Sequence, residues 1–304
     1  MSVPAVRWPA PWLHPLPRRR PPVSDETVAS YVARLAAANH LEVEDLRQHL
    51  APEGSATSKS IRVSIESLAA ATDSSETAIA HALPELHKGY QGHDKKTLKG
   101  RTLAGSPNVT RPACRRCMAS KMISSPVAVW MRHDQNVCLR HGLWIGPGAD
   151  APNDQADLND VPEIIEAQRR HNSLIRRYGR RAVHDAFHHA RRIADMWRLR
   201  GEHGQARDRR HAALHGQPIL QVSIALTQTI HYPEVVALTE IFTMPRWREA
   251  TLPYEFTEEL VDQVRAHVVP GYNPSGASDP ILSWLHYQQP DLAAFGKQPF
   301  ETFR

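Results

Sequence analysis

The side chains with the clearest capacity for chemistry are the three cysteines, Cys114, Cys117 and Cys138, together with His141. They read C-x2-C-x20-C-x2-H. Two intervening residues let a tight turn aim both members of a pair at one ion, and the longer insert can form a small hairpin that returns the second pair. Three thiolates and one imidazole make a complete tetrahedral ligand set for Zn2+, and four protein ligands leave no open position for water, so one structural zinc is expected and not a catalytic one. The competing reading is three reduced cysteines packed as small apolar side chains, because free cysteine is among the most buried residue types. A chain that spends every cysteine in ligand-spaced pairs favours the ion, and a reducing cytoplasm is the matching compartment.

A second group of side chains suits phosphate. Between residues 165 and 210 thirteen arginines face five acids, so the modest excess of the whole chain, +5 with a pI near 9.2, is concentrated here. Arg169, Arg170, Arg176, Arg177, Arg180, Arg181, Arg191 and Arg192 are the candidate nucleic-acid contacts. The planar guanidinium fork matches phosphate, and a pair of helices bearing it can lie across a backbone without reading bases. The alternative is a solvated helical face neutralised by local acids. Asp150, Asp154, Asp157 and Asp160 fall in a connector where carboxylates cap helices more often than they hold a divalent ion. Neither G-x-x-x-x-G-K-[ST] nor G-x-S-x-G occurs, and no catalytic residue is expected.

The elements that must position these groups are mostly helices. Residues 1–22 carry seven prolines with Trp8, Trp12 and the run Arg18 to Arg20, which predicts an extended basic arm. Ser24, Asp25 and Glu26 then supply a cap and acidic first turn for an amphipathic helix ending at Asn39, and a shorter helix follows from Glu42 to Leu50. Residues 64–86 read as helix, turn, helix, with Ser74 or Ser75 as the second cap. That outline resembles a DNA-reading corner, although its second helix has only His81 to offer a base. Glycines and lysines over 87–110 suggest a basic linker.

Further on, Ile165, Gln168, Asn172, Ile175 and Tyr178 trace one expected helix face, and Val183, Phe187, Ala190, Ala194 and Trp197 trace the next. Pro218, Pro233, Thr257 and Asp279 with Pro280 each mark the start of a later helix, the β-branched run Val222 to Ile230 being the weakest of these and also readable as a strand. Phe242, Trp247 and Trp284 are expected core anchors. No apolar run is long enough to span a membrane, and the opening residues lack the apolar segment of an export signal.

Two stretches resemble the TniQ family of transposon-associated zinc proteins. In the first, Pro22, Glu26, Ser30, Tyr31, Arg34, Leu35, Ala36 and Asn39 are similar to the family's opening pattern. In the second, Cys114, Cys117, Trp130, Cys138, Arg140, His141 and Gly142 are similar to its C-x-x-C, Trp, C-x-R-H-G series. One departure stands out: many members carry a second C-x2-C pair soon after the His-Gly, and this chain has no further cysteine. The resemblance implies a DNA-associated accessory protein that recruits transposition machinery, with strand transfer and ATP hydrolysis left to a transposase and an AAA+ ATPase partner.

The expected fold is therefore mainly α, with an arm at 1–22, a helical domain with a helix-turn-helix-like corner at 23–88, a basic linker and small zinc-finger module at 89–148, and a C-terminal helical domain at 149–304. The zinc module is expected to act as a hub joining the helical domains. The expected function is a zinc-containing, DNA-associated adaptor for target selection in transposition or recombination, cytoplasmic and without a membrane partner. The alternative is a zinc-stabilised scaffold for acidic protein or RNA. A zinc hydrolase would need an open coordination position.

Overall fold

The computed structural model describes residues 14–51, 63–86, 110–214, 224–248, 255–276 and 278–287. Trp8, Trp12, most of the basic linker and Pro218 lie outside them. The chain is mainly helical and divides into two compact units, 1–131 and 132–304.

In the first unit, α1 (Val28–Asn39) and α2 (Val43–His49) pack with α3 (Ile65–Thr72) and α4 (Glu76–Ala82) around Tyr31, Leu35, Leu46, Leu50, Leu68, Ile79 and Leu83. Ser64 and Ser75 cap α3 and α4, their hydroxyls accepting from the amides of Ser67 and Ala78. Each such cap is worth about 1 kcal/mol. Asp73 ends α3 in the left-handed region, so the expected helix-turn-helix corner forms, with His81 exposed on α4.

The start of α1 differs from expectation. Thr27 is the cap, its Oγ1 accepting from the Ser30 amide at 3.1 Å, and Glu26 is turned inward. The reason is Arg34, which grips both carboxylate oxygens of Glu26 at 2.8 and 2.6 Å in a fully desolvated pair. A short antiparallel pair, β1 (Thr110–Pro112) with β2 (Ala128–Trp130), lies against this turn through Thr27 and Trp130, whose amides donate to Ala128 and Asp25. Between these strands sits α5 (Arg115–Ser120), over a small core of Val23, Ala113, Met118, Val127 and Val129.

The second unit opens with a minimal hairpin, β3 (Val137–Cys138) with β4 (Leu143–Trp144), followed by α6 (Pro162–Tyr178), α7 (Arg180–Leu199), α8 (Gln205–Leu214), α9 (Ile224–Thr243), α10 (Glu255–His267) and α11 (Pro280–Tyr287). The whole face expected for α7 is buried, from Val183 to Trp197. For α6 the face is rotated: Ile164, Ala167, Gln168, His171 and Leu174 are buried, and Ile165, Ile175 and Tyr178 only flank them. An apolar stripe misplaces this helix because two of its inward residues are polar.

Pro233 does not begin a helix but sits inside α9. An internal proline removes one backbone bond and costs about 3 kcal/mol. Here Tyr232, Val235, Val236, Leu238, Ile241 and Phe242 bury themselves around it, and Arg210 donates to the carbonyl of Ile230 and to Glu234 at 2.7 Å. Packing on both sides outweighs the local penalty. The described part of the 222–230 run is helical as well. Phe242, Trp247 and Trp284 are buried as expected, and the Asp279 carboxylate caps α11 by accepting from Ile281 at 2.8 Å.

Candidate metal centre and arginine face

Cys114 immediately precedes α5 and Cys117 lies on it, one turn apart, so the helix presents both thiols on one side. Cys138 ends β3, and the tight turn to β4 returns the amides of His141 and Gly142 to the Cys138 carbonyl at 3.1 and 2.8 Å. Gly142 has φ +61, the left-handed geometry that closes such a turn at least cost for glycine. The potential ligand atoms of Cys114, Cys117, Cys138 and His141 all lie within 4.8 Å of one another. Cys138 Sγ and His141 Nδ1 are 3.6 Å apart. A tetrahedral ion bound at ordinary thiolate and imidazole distances has edges of about 3.6 to 3.8 Å; the Cys138–His141 pair sits at such an edge, the separations within the cluster run up to 4.8 Å, and the donor set is one that could hold one such ion. Among the described residues this is the one cluster of that kind; the aspartates of the connector do not join it. Asp154 accepts from Ala151 and Asp157 from Asn159, which are local turn contacts.

The residues shared by the two sequence stretches turn out to be mutual supports. Ser30 donates to Glu26 and accepts from the Ala128 amide, tying α1 to β2. Trp130 donates its indole N–H to Glu85 at 2.9 Å, and the same carboxylate caps the amide of Val28. Asn39 holds Arg18 through both backbone groups, and the Tyr31 hydroxyl donates to the Arg20 carbonyl at 2.7 Å.

Gln168 was legible as a residue of α6, but its role was not. Its Oε1 accepts from the amides of Asn136 and Val137 at 2.8 and 2.9 Å, and its Nε2 donates to the Asp134 carbonyl at 2.7 Å and to Asn172. It thus fixes the segment that leads into Cys138. Tyr232 gives its one proton to Gln168, so His171, 2.9 Å away, donates from Nδ1 to Tyr232 and keeps a bare Nε2. That Nε2 and both ring nitrogens of the neighbouring His133 are buried without partners. Burial holds His133 down to about 4 and His171 to about 3, with the mutual repulsion of the two rings adding to the effect on His171. Burial opposes the charge of Asp134, yet Arg132 and Arg180 keep its carboxyl below the usual range.

The eight candidate nucleic-acid arginines do not form one free surface. Arg169 pairs with Glu166 at 2.9 Å, Arg170 with Glu240, Arg180 with Asp134 at 2.6 Å, and Arg191 lies 4.0 Å from Asp195. Arg176, Arg177, Arg181 and Arg192 are exposed, Arg177 covering the Tyr178 ring at 5.0 Å. Of the remaining arginines, Arg207 and Arg210 are buried. Residues 176–181 around the junction of α6 and α7 are where the exposed charge is densest.

The TniQ family model matches residues 17–144, a span that runs from just before α1 to the end of β4 and includes all four cluster residues. No curated protein and no solved structure matches the chain. No helix among the described residues is long and apolar enough to cross a membrane.

Proposed function

Because the chain belongs to the TniQ family through residues 17–144, we propose that it is a zinc-stabilised, DNA-associated adaptor that helps select targets for transposition or recombination and recruits an AAA+ ATPase or transposase subunit. The observation that carries this reading is the convergence of Cys114, Cys117, Cys138 and His141 within the matched span. Zinc at these four ligands is structural. It would supply folding free energy to a module too short to build a large core, and would leave no coordination position for a substrate.

In this reading the protein performs no reaction. The helical domain at 23–88 and the module at 89–148 serve partner contact, and the C-terminal domain at 149–304 tracks phosphate through Arg176, Arg177, Arg180 and Arg181, with Arg169, Arg170, Arg191 and Arg192 adding charge nearby. Arg169 and Arg170 pair with Glu166 and Glu240, and at the α6 to α7 junction Arg180 pairs with Asp134 while Arg176, Arg177 and Arg181 stay exposed, which supports giving that junction the main weight.

The test is duplex binding by the full chain across a salt series. Each phosphate neutralised contributes about 0.9 to the slope of log K against log salt. Changing Arg176, Arg177, Arg180 and Arg181 together to alanine is expected to flatten that slope by roughly three to four. A parent and mutant that bind duplex equally, or a parent that prefers acidic protein or RNA, would overturn the reading in favour of a scaffold.

A further inference from the structure

The end of α5 is built against local preference. The amides of Met122 and Ile123 donate to the carbonyls of Ala119 and Met118 at 2.9 and 3.0 Å, a closure that puts Met122 in the left-handed region at φ +56. Glycine takes such a position at least cost. The chain has a methionine there instead, and at 87 % exposure it is the most exposed large apolar residue among those described. Backbone and solvent both disfavour methionine at this position, which points to a surface that covers it.

Met122 lines a cleft of about 630 Å³ between residues 20–23, residues 121–125 and the C-terminal half of α1. A second cleft of about 590 Å³ adjoins it, the two sharing Arg34, Ala37 and Ser125. Together they follow α1 from Ala29 to Ala38, about 14 Å at 1.5 Å per residue, which an extended segment of about four residues would fill. On this side α1 shows Ala29, Ala33 and Ala37, none of them buried, so a main chain can approach closely.

Free charge is confined to one end of this groove. Arg20 and Lys121 line it beside Met122, both exposed and without a carboxylate partner among the described residues. Arg34 adds none, because its guanidinium is held by Glu26 and by the Pro21 carbonyl. At the other end Glu85 accepts from the Trp130 indole and the Val28 amide, and the lining includes Pro126 and Ala128. A nucleic-acid strand calls for cations along its whole path, to meet successive phosphates. Two cations followed by a small, apolar track are instead complementary to a peptide that is acidic at one end.

We infer that this groove receives an extended segment of a partner protein, with carboxylates at Arg20 and Lys121, an apolar side chain against Met122 and Ile123, and small residues along the alanines of α1. The inference rests on the adaptor reading for the partner's role and not for its chemistry.

The experiment uses the full zinc-loaded chain and a fluorescent peptide of two aspartates, a leucine and alternating alanine and glycine, made in both orders, with twins that carry asparagine for aspartate. Binding is read by anisotropy and by the methyl signal of Met122, one of six methionines. In one order the acidic peptide is expected to bind about fivefold more tightly than its twin and to shift the Met122 signal. Changing Arg20 and Lys121 together to alanine is expected to weaken it about fivefold, and Met122→Gly about tenfold. Glycine suits φ +56, so Met122→Gly is expected to melt no lower than the parent, and its loss of binding then reports the surface and not the fold. No binding in either order, or equal binding by Met122→Gly and parent, overturns the inference. So does a Met122 signal that moves with a single-stranded oligonucleotide in place of the peptide, with protein concentration, or on removal of residues 1–13. Those outcomes would make the occupant a nucleic acid, a second copy or the chain's own N-terminal segment. Duplex binding by the same variants tests the adaptor reading separately: it stands if duplex binding persists without peptide binding, and it alone falls if the peptide binds and the duplex does not.

Discussion

Two histidine-containing clusters in this protein solve the same problem in opposite ways. The Cys114, Cys117, Cys138 and His141 cluster gathers four groups that could hold one metal ion, and as thiolates its cysteines would repel one another without a cation among them. The His133, His171, Gln168 and Tyr232 cluster gathers polar groups that persist because the histidines stay neutral and Gln168 spends every hydrogen bond it has. The first would draw its stability from a bound ion, the second from burial. The first should therefore fail when the ion is removed, and the second when a proton is added or one amide is lost.

The largest expected effect is at the metal. Cys114→Ser should lose stoichiometric zinc and unfold the strands and helix around it, since a structural zinc of this type contributes on the order of 10 kcal/mol. Metal content and the thermal melt measure it. A variant that still carries one zinc per chain would mean that the ligand set has been misassigned.

Next is Gln168→Leu, which leaves the amides of Asn136 and Val137 and the carbonyl of Asp134 buried without their partner. Three such losses cost roughly 3 kcal/mol or more. In a unit of this size that is a fall in Tm of about 10 °C. A melt identical to the parent's would show that the second cluster holds nothing together.

The smallest effect is a change of slope. His133 and His171 titrate at about 4 and about 3 when folded, below the usual 6.5, so the unfolded chain takes up protons first as pH falls. Their contribution is complete above pH 6.5 and is lost as pH drops toward 4, at up to about 1.4 kcal/mol per pH unit for each ring. The His133 ring has no hydrogen bond to lose. His133→Leu should keep its stability at pH 7 and lose one ring's share of the decline between pH 6.5 and pH 4, read by denaturant unfolding at each pH. An unaltered slope would place the acid sensitivity wholly at the zinc ligands, which also release their ion on protonation.

The metal cluster was legible because its information is local. Two residues between ligands fix their reach, and a cysteine or histidine there has few other uses. The capped corner of α3 and α4 was legible for a similar reason, Ser64 and Ser75 bonding to amides three residues away. The face of α6 was not, since hydrophobic spacing cannot reveal that Gln168 and His171 have partners thirty to sixty residues distant. The arginine excess was visible, but which arginines remain free was not. That depended on Glu240 and Asp134 arriving beside Arg170 and Arg180 from remote parts of the chain.

By itself the sequence determined the Cys3His grouping, most helices and the family pattern, because pair spacing, capping and amphipathic period are all set within a few residues. Only the tertiary structure decided that a helix runs through Pro233, that Glu26 leaves the first turn of α1 for Arg34, and that Gln168 and His171 turn the face of α6 inward. Each of these is a contest between a local preference worth up to about 3 kcal/mol and the burial of several side chains at about 1.5 to 3 kcal/mol apiece, and packing wins wherever enough of them meet.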